Sequence, residues 1–170
     1  MNRHVHDLRS RGVHPSYQRV RILEFVRNCR AEDFFEPGDA NAPGAFAPSS
    51  ANERKDYHPT AEQIHACLVK DIPTLSKTTV YNTLRLFEEN GLISSVMIDQ
   101  HGSHGALRYD RYIEAHAHLL CRSCGELLDW PLASELETRL AGLCQTDPEL
   151  HSWQLVLRGA CRACQPKCSA

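Results

Sequence analysis

Two C-x-x-C pairs, Cys121-Arg122-Ser123-Cys124 and Cys161-Arg162-Ala163-Cys164, are the residues of this sequence best suited to chemistry. Two thiolates at that spacing grip one ion on a tight turn. Two such turns complete the tetrahedral four-sulfur shell that Zn(II) favours. A closed shell leaves no position for substrate, so the site reads as structural, and its binding free energy becomes folding free energy for the module it closes. The competing reading is a pair of redox motifs, but neither pair opens a helix after a strand, as thiol oxidoreductases require. Cys168 lies close enough in sequence to substitute for Cys164.

A second constellation is His58, Asp110, His116, His118 and Asp129. On a strand, His116-Ala117-His118 points both imidazoles to one face, because side chains alternate with period two. Asp129 follows the first Cys pair, on a strand returning alongside. A lone histidine is more often a surface or core residue than a ligand. Two in register beside carboxylates suggest a metal site, and spacing alone leaves both readings open. A third set, Lys77, Thr78, Tyr81, Asn82 and Arg85, shares one polar helix face. These residue types reach phosphates and base edges from the major groove. An ordinary solvated face has a similar composition; the helix before it and the basic N-terminus favour a recognition helix.

These residues need a scaffold, and the chain's 170 residues suffice for one medium domain or two small ones. The net charge of −2 hides an uneven distribution: residues 1–30 hold seven Arg against Asp7 and Glu24. A basic end on a near-neutral chain points to a polyanionic partner. Eight Cys would suit a secreted disulfide scaffold. However, the start lacks an apolar signal region, and no apolar run approaches the roughly 20 residues that span a bilayer. With half the Cys in close pairs, metal binding in a reducing cytoplasm is the expectation, with no membrane partner.

Apolar periodicity predicts a helix over 16–29, with Val20, Leu23 and Phe25/Val26 facing inward. The stretch 31–55, rich in Ala, Pro, Gly and Ser, reads as a mobile inserted loop. Thr60 and Gln63 form a capping box for a helix through Ile64 and Leu68, which Pro73 ends. Ser76 caps a second helix, Lys77 to Asn90, closed by Gly91; Val80, Leu84 and Phe87 face the core. Strands follow at 92–98 and 107–109 around a turn at 101–105. Helix, turn, helix and hairpin describe a winged helix-turn-helix. Further on, 116–120 and 127–130 read as strands, Leu132 to Cys144 as a helix with Leu132, Leu136 and Leu140 inward, and His151 to Leu157 as a half-buried strand. The expected fold class is α+β. A winged-helix DNA-binding domain over 1–110 precedes a small α/β zinc-containing domain over 111–170.

Taken together, these residues resemble the ferric uptake regulator family, and within it the peroxide-sensing branch. The resemblance rests on Ser16-Tyr17-Gln18-Arg19, His58-Pro59-Thr60-Ala61-Glu62-Gln63-Ile64, Ser76-Lys77-Thr78-Thr79-Val80-Tyr81-Asn82-Thr83-Leu84 and His116-Ala117-His118-Leu119-Leu120-Cys121-Arg122-Ser123-Cys124-Gly125. It implies a homodimeric repressor that binds a palindromic double-stranded operator. Arg19 would join the five residues of the recognition helix as a DNA contact, and 111–170 would dimerise. It also implies one regulatory Fe(II) or Mn(II) site made from His58, Asp110, His116, His118 and Asp129, joining the two domains. Both carboxylates are Asp where iron-responsive members commonly carry Glu, and Asn82 stands where iron and zinc regulators usually have Arg. These details favour peroxide sensing, in which Fe(II)-driven oxidation of a ligand imidazole, His58 or His116, releases DNA. An iron- or zinc-responsive repressor is the nearer alternative. A zinc or thiol enzyme is the remoter one, because neither H-E-x-x-H nor a deaminase signature is present. The chain departs from the family in Tyr17, where Pro is frequent, in the 31–55 insertion and in a wing carrying His101 and His104. Those two, like His4 and His6, read as surface residues.

Overall fold

A computed structural model describes residues 3–34, 57–100, 103–162 and 164–165. They fall into two compact units, one containing residues up to Phe34 and Tyr57–Ile113, the other beginning at Glu114. The expected insertion, apart from its first residues, lies outside the described part, as do His101 and Cys168; nothing is described of the His104 side chain.

In the first unit, helices α1 (Arg3–Ser10), α2 (Tyr17–Asn28), α3 (Ala61–Leu68) and α4 (Lys77–Glu89) precede strands β1 (Ser94–Gln100) and β2 (Ser103–Asp110). Local chemistry sets the helix ends. The Ser16 hydroxyl accepts from the Arg19 N–H at 3.3 Å, and the Ser76 hydroxyl from the Thr79 N–H at 3.0 Å. The Thr60–Gln63 box closes from both sides, at 2.9 and 3.2 Å. Helix α4 stops because Gly91 adopts φ +60°. The Gly91 and Leu92 N–H groups then return to the Glu88 and Phe87 carbonyls.

Leu8, Ile22, Leu23, Ile64, Leu68, Val80, Leu84 and Phe87 form the centre of one buried cluster, which Leu92, Ile93 and Tyr109 extend into the hairpin. The inward face of α2 differs from expectation: Ile22 is buried, whereas Val20 and Phe25 only pack against the cluster. Strands β1 and β2 pair antiparallel from Ser94↔Asp110 outward and form the wing. β2 begins at Ser103, inside the stretch 101–105 expected as the turn. Residues 31–34, the first of the expected loop, take a defined conformation instead. Ala31–Asp33 form a 3-10 turn, and Phe34 packs edge-on against Phe25 and 4.7 Å from the Tyr57 ring.

The second unit holds β3 (Ala117–Cys121), β4 (Leu127–Trp130), α5 (Ser134–Thr146) and β5 (Leu155–Gly159). Its sheet has the order β4-β3-β5, with β4 antiparallel and β5 parallel to the central β3. Helix α5 makes the crossover that a parallel pair requires. It starts two residues later than Leu132 and buries none of its residues; Leu136 is 44% exposed. The inward face expected for this helix is therefore largely open in the isolated chain. β5 likewise starts at Leu155 rather than His151. Among the described residues no helix is long and apolar enough to cross a membrane.

Candidate metal centres

Backbone geometry in the second unit brings the two Cys pairs together. Cys121 ends β3, and the Gly125 N–H returns to the Cys121 carbonyl at 2.9 Å. Gly125 has φ +71°, a conformation that side chains disfavour. In the second turn the Gln165 N–H likewise returns to the Cys161 carbonyl at 2.9 Å, and the Cys164 N–H donates to the same carbonyl at 2.9 Å. Because β3 and β5 run parallel and the Arg122 N–H reaches the Gly159 carbonyl at 2.7 Å, the two turns emerge side by side.

One sulfur from each of Cys121, Cys124, Cys161 and Cys164 lies within 4.8 Å of the others. The Cys124 and Cys161 sulfurs are 3.9 Å apart, and none of the four is in a disulfide. Zn–S bonds of about 2.3 Å in a tetrahedron place sulfurs about 3.8 Å apart, so the cluster has the right size. The Cys161 N–H also donates to the Cys121 sulfur at 3.3 Å. Burial opposes ionisation of Cys121, but the backbone donors of Cys161, Cys124 and Ser123 outweigh it and hold its pKa at about 6. Burial and neighbouring sulfurs push Cys124 and Cys164 up, Cys164 to about 11. One thiolate is thus ready-made, and a divalent cation compensates the cost of the others. The four-sulfur site fits a structural Zn(II).

The residues of the second constellation occur in two groups. In the first unit, His58 Nε2 lies 3.5 Å from Asp110 Oδ2, and each side chain is only 2% exposed. β2 anchors this pair: the Tyr109 N–H donates to the Pro59 carbonyl at 2.9 Å, and the Arg108 guanidinium to the His58 carbonyl at 3.2 Å. The Tyr112 N–H fixes Asp110 through Oδ1 at 2.8 Å.

In the second unit, His118 sits opposite Asp129 in the β3–β4 register. The His116 ring lies 4.3 Å from the His118 ring. Asp129 Oδ1 lies 3.2 Å from His116 Nε2 and 3.7 Å from His118 Nε2. His116 Nδ1 is 2.8 Å from the Glu114 carbonyl, which can only accept, so the ring proton sits on Nδ1. On the neutral ring, Nε2 then presents a lone pair to a carboxylate oxygen. Either a second proton on the ring or a cation held by both atoms resolves that opposition. Imidazole and carboxylate donors suit a regulatory Fe(II) or Mn(II).

Lys77, Thr78, Tyr81, Asn82 and Arg85 are all exposed on α4, opposite buried Val80, Leu84 and Phe87. Arg85 pairs with Glu89 at 2.8 Å along the helix. Arg19 instead lies half-buried, its guanidinium donating to the His14 carbonyl at 2.8 Å. Sequence reasoning passed over one partner of this face. The Tyr81 hydroxyl donates to the Glu62 carboxylate of α3, a bond that pushes the phenol up and holds the carboxyl down. No linear spacing announces it, because the bond joins two helices.

Comparison with known proteins places this geometry in context. A family model described as "Ferric uptake regulator family" matches residues 50–157. A peroxide-responsive repressor, PerR, of Staphylococcus aureus is 34% identical over 112 residues, 65% of this chain and 72% of its own. Among solved structures, the Helicobacter pylori regulator Fur superposes with a TM-score of 0.60 at 18% identity, covering 96% of this chain and 90% of its own. The manganese-bound Pseudomonas aeruginosa regulator gives 0.59 at 21% identity, covering 95% and 99%.

Proposed function

This chain belongs to the ferric uptake regulator family of metal-responsive transcriptional regulators, and we propose that it is a peroxide-sensing member, a homodimer that represses transcription from a palindromic operator. The observation that carries this reading is the pre-assembled His116–His118–Asp129 group beside a four-sulfur site. Zinc has its own shell, which leaves the imidazole–carboxylate group to a second, exchangeable ion.

In this reading His58 and Asp110 complete the set, so one ion ties the DNA-binding and dimerisation halves into the arrangement that matches operator spacing. Lys77, Thr78, Tyr81, Asn82 and Arg85 would enter the major groove, with Arg19 on the adjoining backbone. Bound Fe(II) would supply the reductant for peroxide next to the ligand imidazoles. His58 and His116 are the imidazoles that would gain an oxygen atom. Either loss weakens the clamp and frees the DNA. Support for the peroxide branch comes from the similarity to the Staphylococcus aureus repressor, from the two Asp ligands and from Asn82. Sensing of this kind is stoichiometric, and the closed cysteine shell offers no site for turnover.

The test compares duplex binding by the Fe(II) and Mn(II) forms before and after one equivalent of peroxide, using an operator selected from random duplexes. The Fe(II) form should lose affinity at least tenfold and gain about 16 Da on a peptide carrying His58 or His116, while the Mn(II) form is unaffected. An Fe(II) form that keeps its affinity and gains no mass leaves an iron- or zinc-responsive regulator instead.

A further inference from the structure

One residue is out of place on a face that meets DNA. Lys77 and Arg85 lend the exposed side of α4 positive charge, yet Glu62 brings an exposed carboxylate to it from α3, bonded to the Tyr81 hydroxyl. A negative charge beside a polyanion opposes binding. Packing of the two helices does not require the bond either. It is carried by Ala61, Ile64 and Leu68 of α3 and by Val80, Thr83, Leu84 and Phe87 of α4, all buried. A hydrogen bond between exposed groups adds little to stability.

The carboxylate is the fixed partner and the phenol the adjustable one. Glu62 lies in the first turn of α3, where a helix N-terminus favours negative charge. Its own N–H, the Thr60 hydroxyl and the charge of Lys77 all favour the ionised carboxylate as well. Tyr81 is 43% exposed, and it borders a cavity of about 480 Å³ whose lining includes Asn82, Arg85, Leu107 and Tyr109. A phenol released from Glu62 therefore has room to turn toward Leu107 and Tyr109. The bond also decides which hydrogen bonds the phenol has left. Its one O–H goes to Glu62, so the oxygen presents lone pairs only. In the major groove lone pairs match the amino groups of adenine N6 and cytosine N4. They oppose guanine N7 and O6, and phosphate oxygens too. An unbonded phenol donates to any of those acceptors and makes no such choice.

We propose that Glu62 is a positioning residue that sets the base preference of Tyr81: it fixes the ring and leaves the phenol oxygen as an acceptor for a base amino group. This role rests on the entry of α4 into the major groove and is independent of which metal or oxidant the chain answers to.

The experiment measures affinity of the zinc- and Mn(II)-loaded full chain for a selected duplex and for each of its single-base-pair variants, over a range of salt. The proteins are the parent, Glu62→Ala, Glu62→Gln, Tyr81→Phe and the double variant Glu62→Ala/Tyr81→Phe, with thermal melting to confirm folding. Glu62→Ala and Tyr81→Phe should each relax discrimination about tenfold at the same base pair of each half-site. The double variant should be no worse than either single one. Glu62→Gln, whose amide oxygen still accepts the hydroxyl, should keep the parental preference. Both Glu62 variants remove one negative charge, so a change in salt dependence common to both reports charge alone. Parental discrimination in folded Glu62→Ala overturns the proposal. So does equal loss in the Ala and Gln variants, or additive effects of Glu62→Ala and Tyr81→Phe on different base pairs. A parent that binds all duplexes alike overturns the groove-reading role of α4 itself, and this role of Glu62 with it.

Discussion

The two units are held together by different means. In the first, four helices and a hairpin enclose one continuous apolar cluster, from Leu8 to Tyr109. In the second, the buried apolar residues among those described are few, Ala117, Leu119 and Leu127 beside Cys121 and Cys161, and α5 buries nothing. A core that small does not offset the entropy of ordering its chain, so an external crosslink has to. The four sulfurs lie where such a crosslink is needed, between the ends of β3 and β5. The comparison teaches that one chain can combine a unit ordered by burial with a unit whose ends a metal-ready sulfur cluster joins.

The largest effect that would break this contrast is zinc removal. Structural zinc of this kind is worth roughly 10–16 kcal/mol of apparent folding free energy. A strong chelator under reducing conditions, or Cys124→Ser, is therefore expected to erase hydrogen-exchange protection in β3 and β5 while α2 and α4 keep theirs. Protection that persists throughout would show that the second unit folds by burial as well.

The converse perturbation comes next. Phe87 is fully buried at the centre of the first cluster. Phe87→Ala should cost about 3–5 kcal/mol, measured by denaturant unfolding, and should abolish duplex binding with zinc content unchanged. Zinc loss in that variant would mean that the two units fold as one.

The smallest effect sharpens the electrostatics of the first unit. Arg27 holds the Asp7 pKa below its ordinary 3.8. A lowered carboxylate contributes stability that is fully present above the ordinary value and lost as the pH falls through the lowered one. Asp7→Asn should thus cost no more than about 1 kcal/mol at neutral pH. Its unfolding curve and that of the parent should converge below pH 3.8.

What the sequence revealed tracks how local its physics is. Thr60, Gln63, Ser76 and Gly91 act within one helical turn, and each caps as expected. The grouping of the four cysteines followed from spacing for the same reason, whereas for His116, just before β3, and His118 on it spacing alone left the role open. Helix α1 was missed because Arg3–Ser10 is polar and held by one fully buried residue, Leu8, whose partners are distant in sequence. Phe34 fell inside a composition typical of loops, yet packs edge-on against Phe25 and close to Tyr57, aromatic contacts that composition does not reveal. The displaced start of α5 has a related cause: its leucines mark an apolar stripe but not what covers it.

Division of labour between zinc as scaffold and a second ion as switch is tested most directly by one titration. Zinc-loaded, otherwise metal-free protein is titrated with Mn(II), with affinity for a selected duplex and bound zinc read at each step. Affinity should rise at least tenfold with one Mn(II) per chain and no loss of zinc, and Asp129→Asn should flatten the rise while retaining zinc. Tight duplex binding that is indifferent to Mn(II), or Mn(II) binding that displaces zinc, would contradict it.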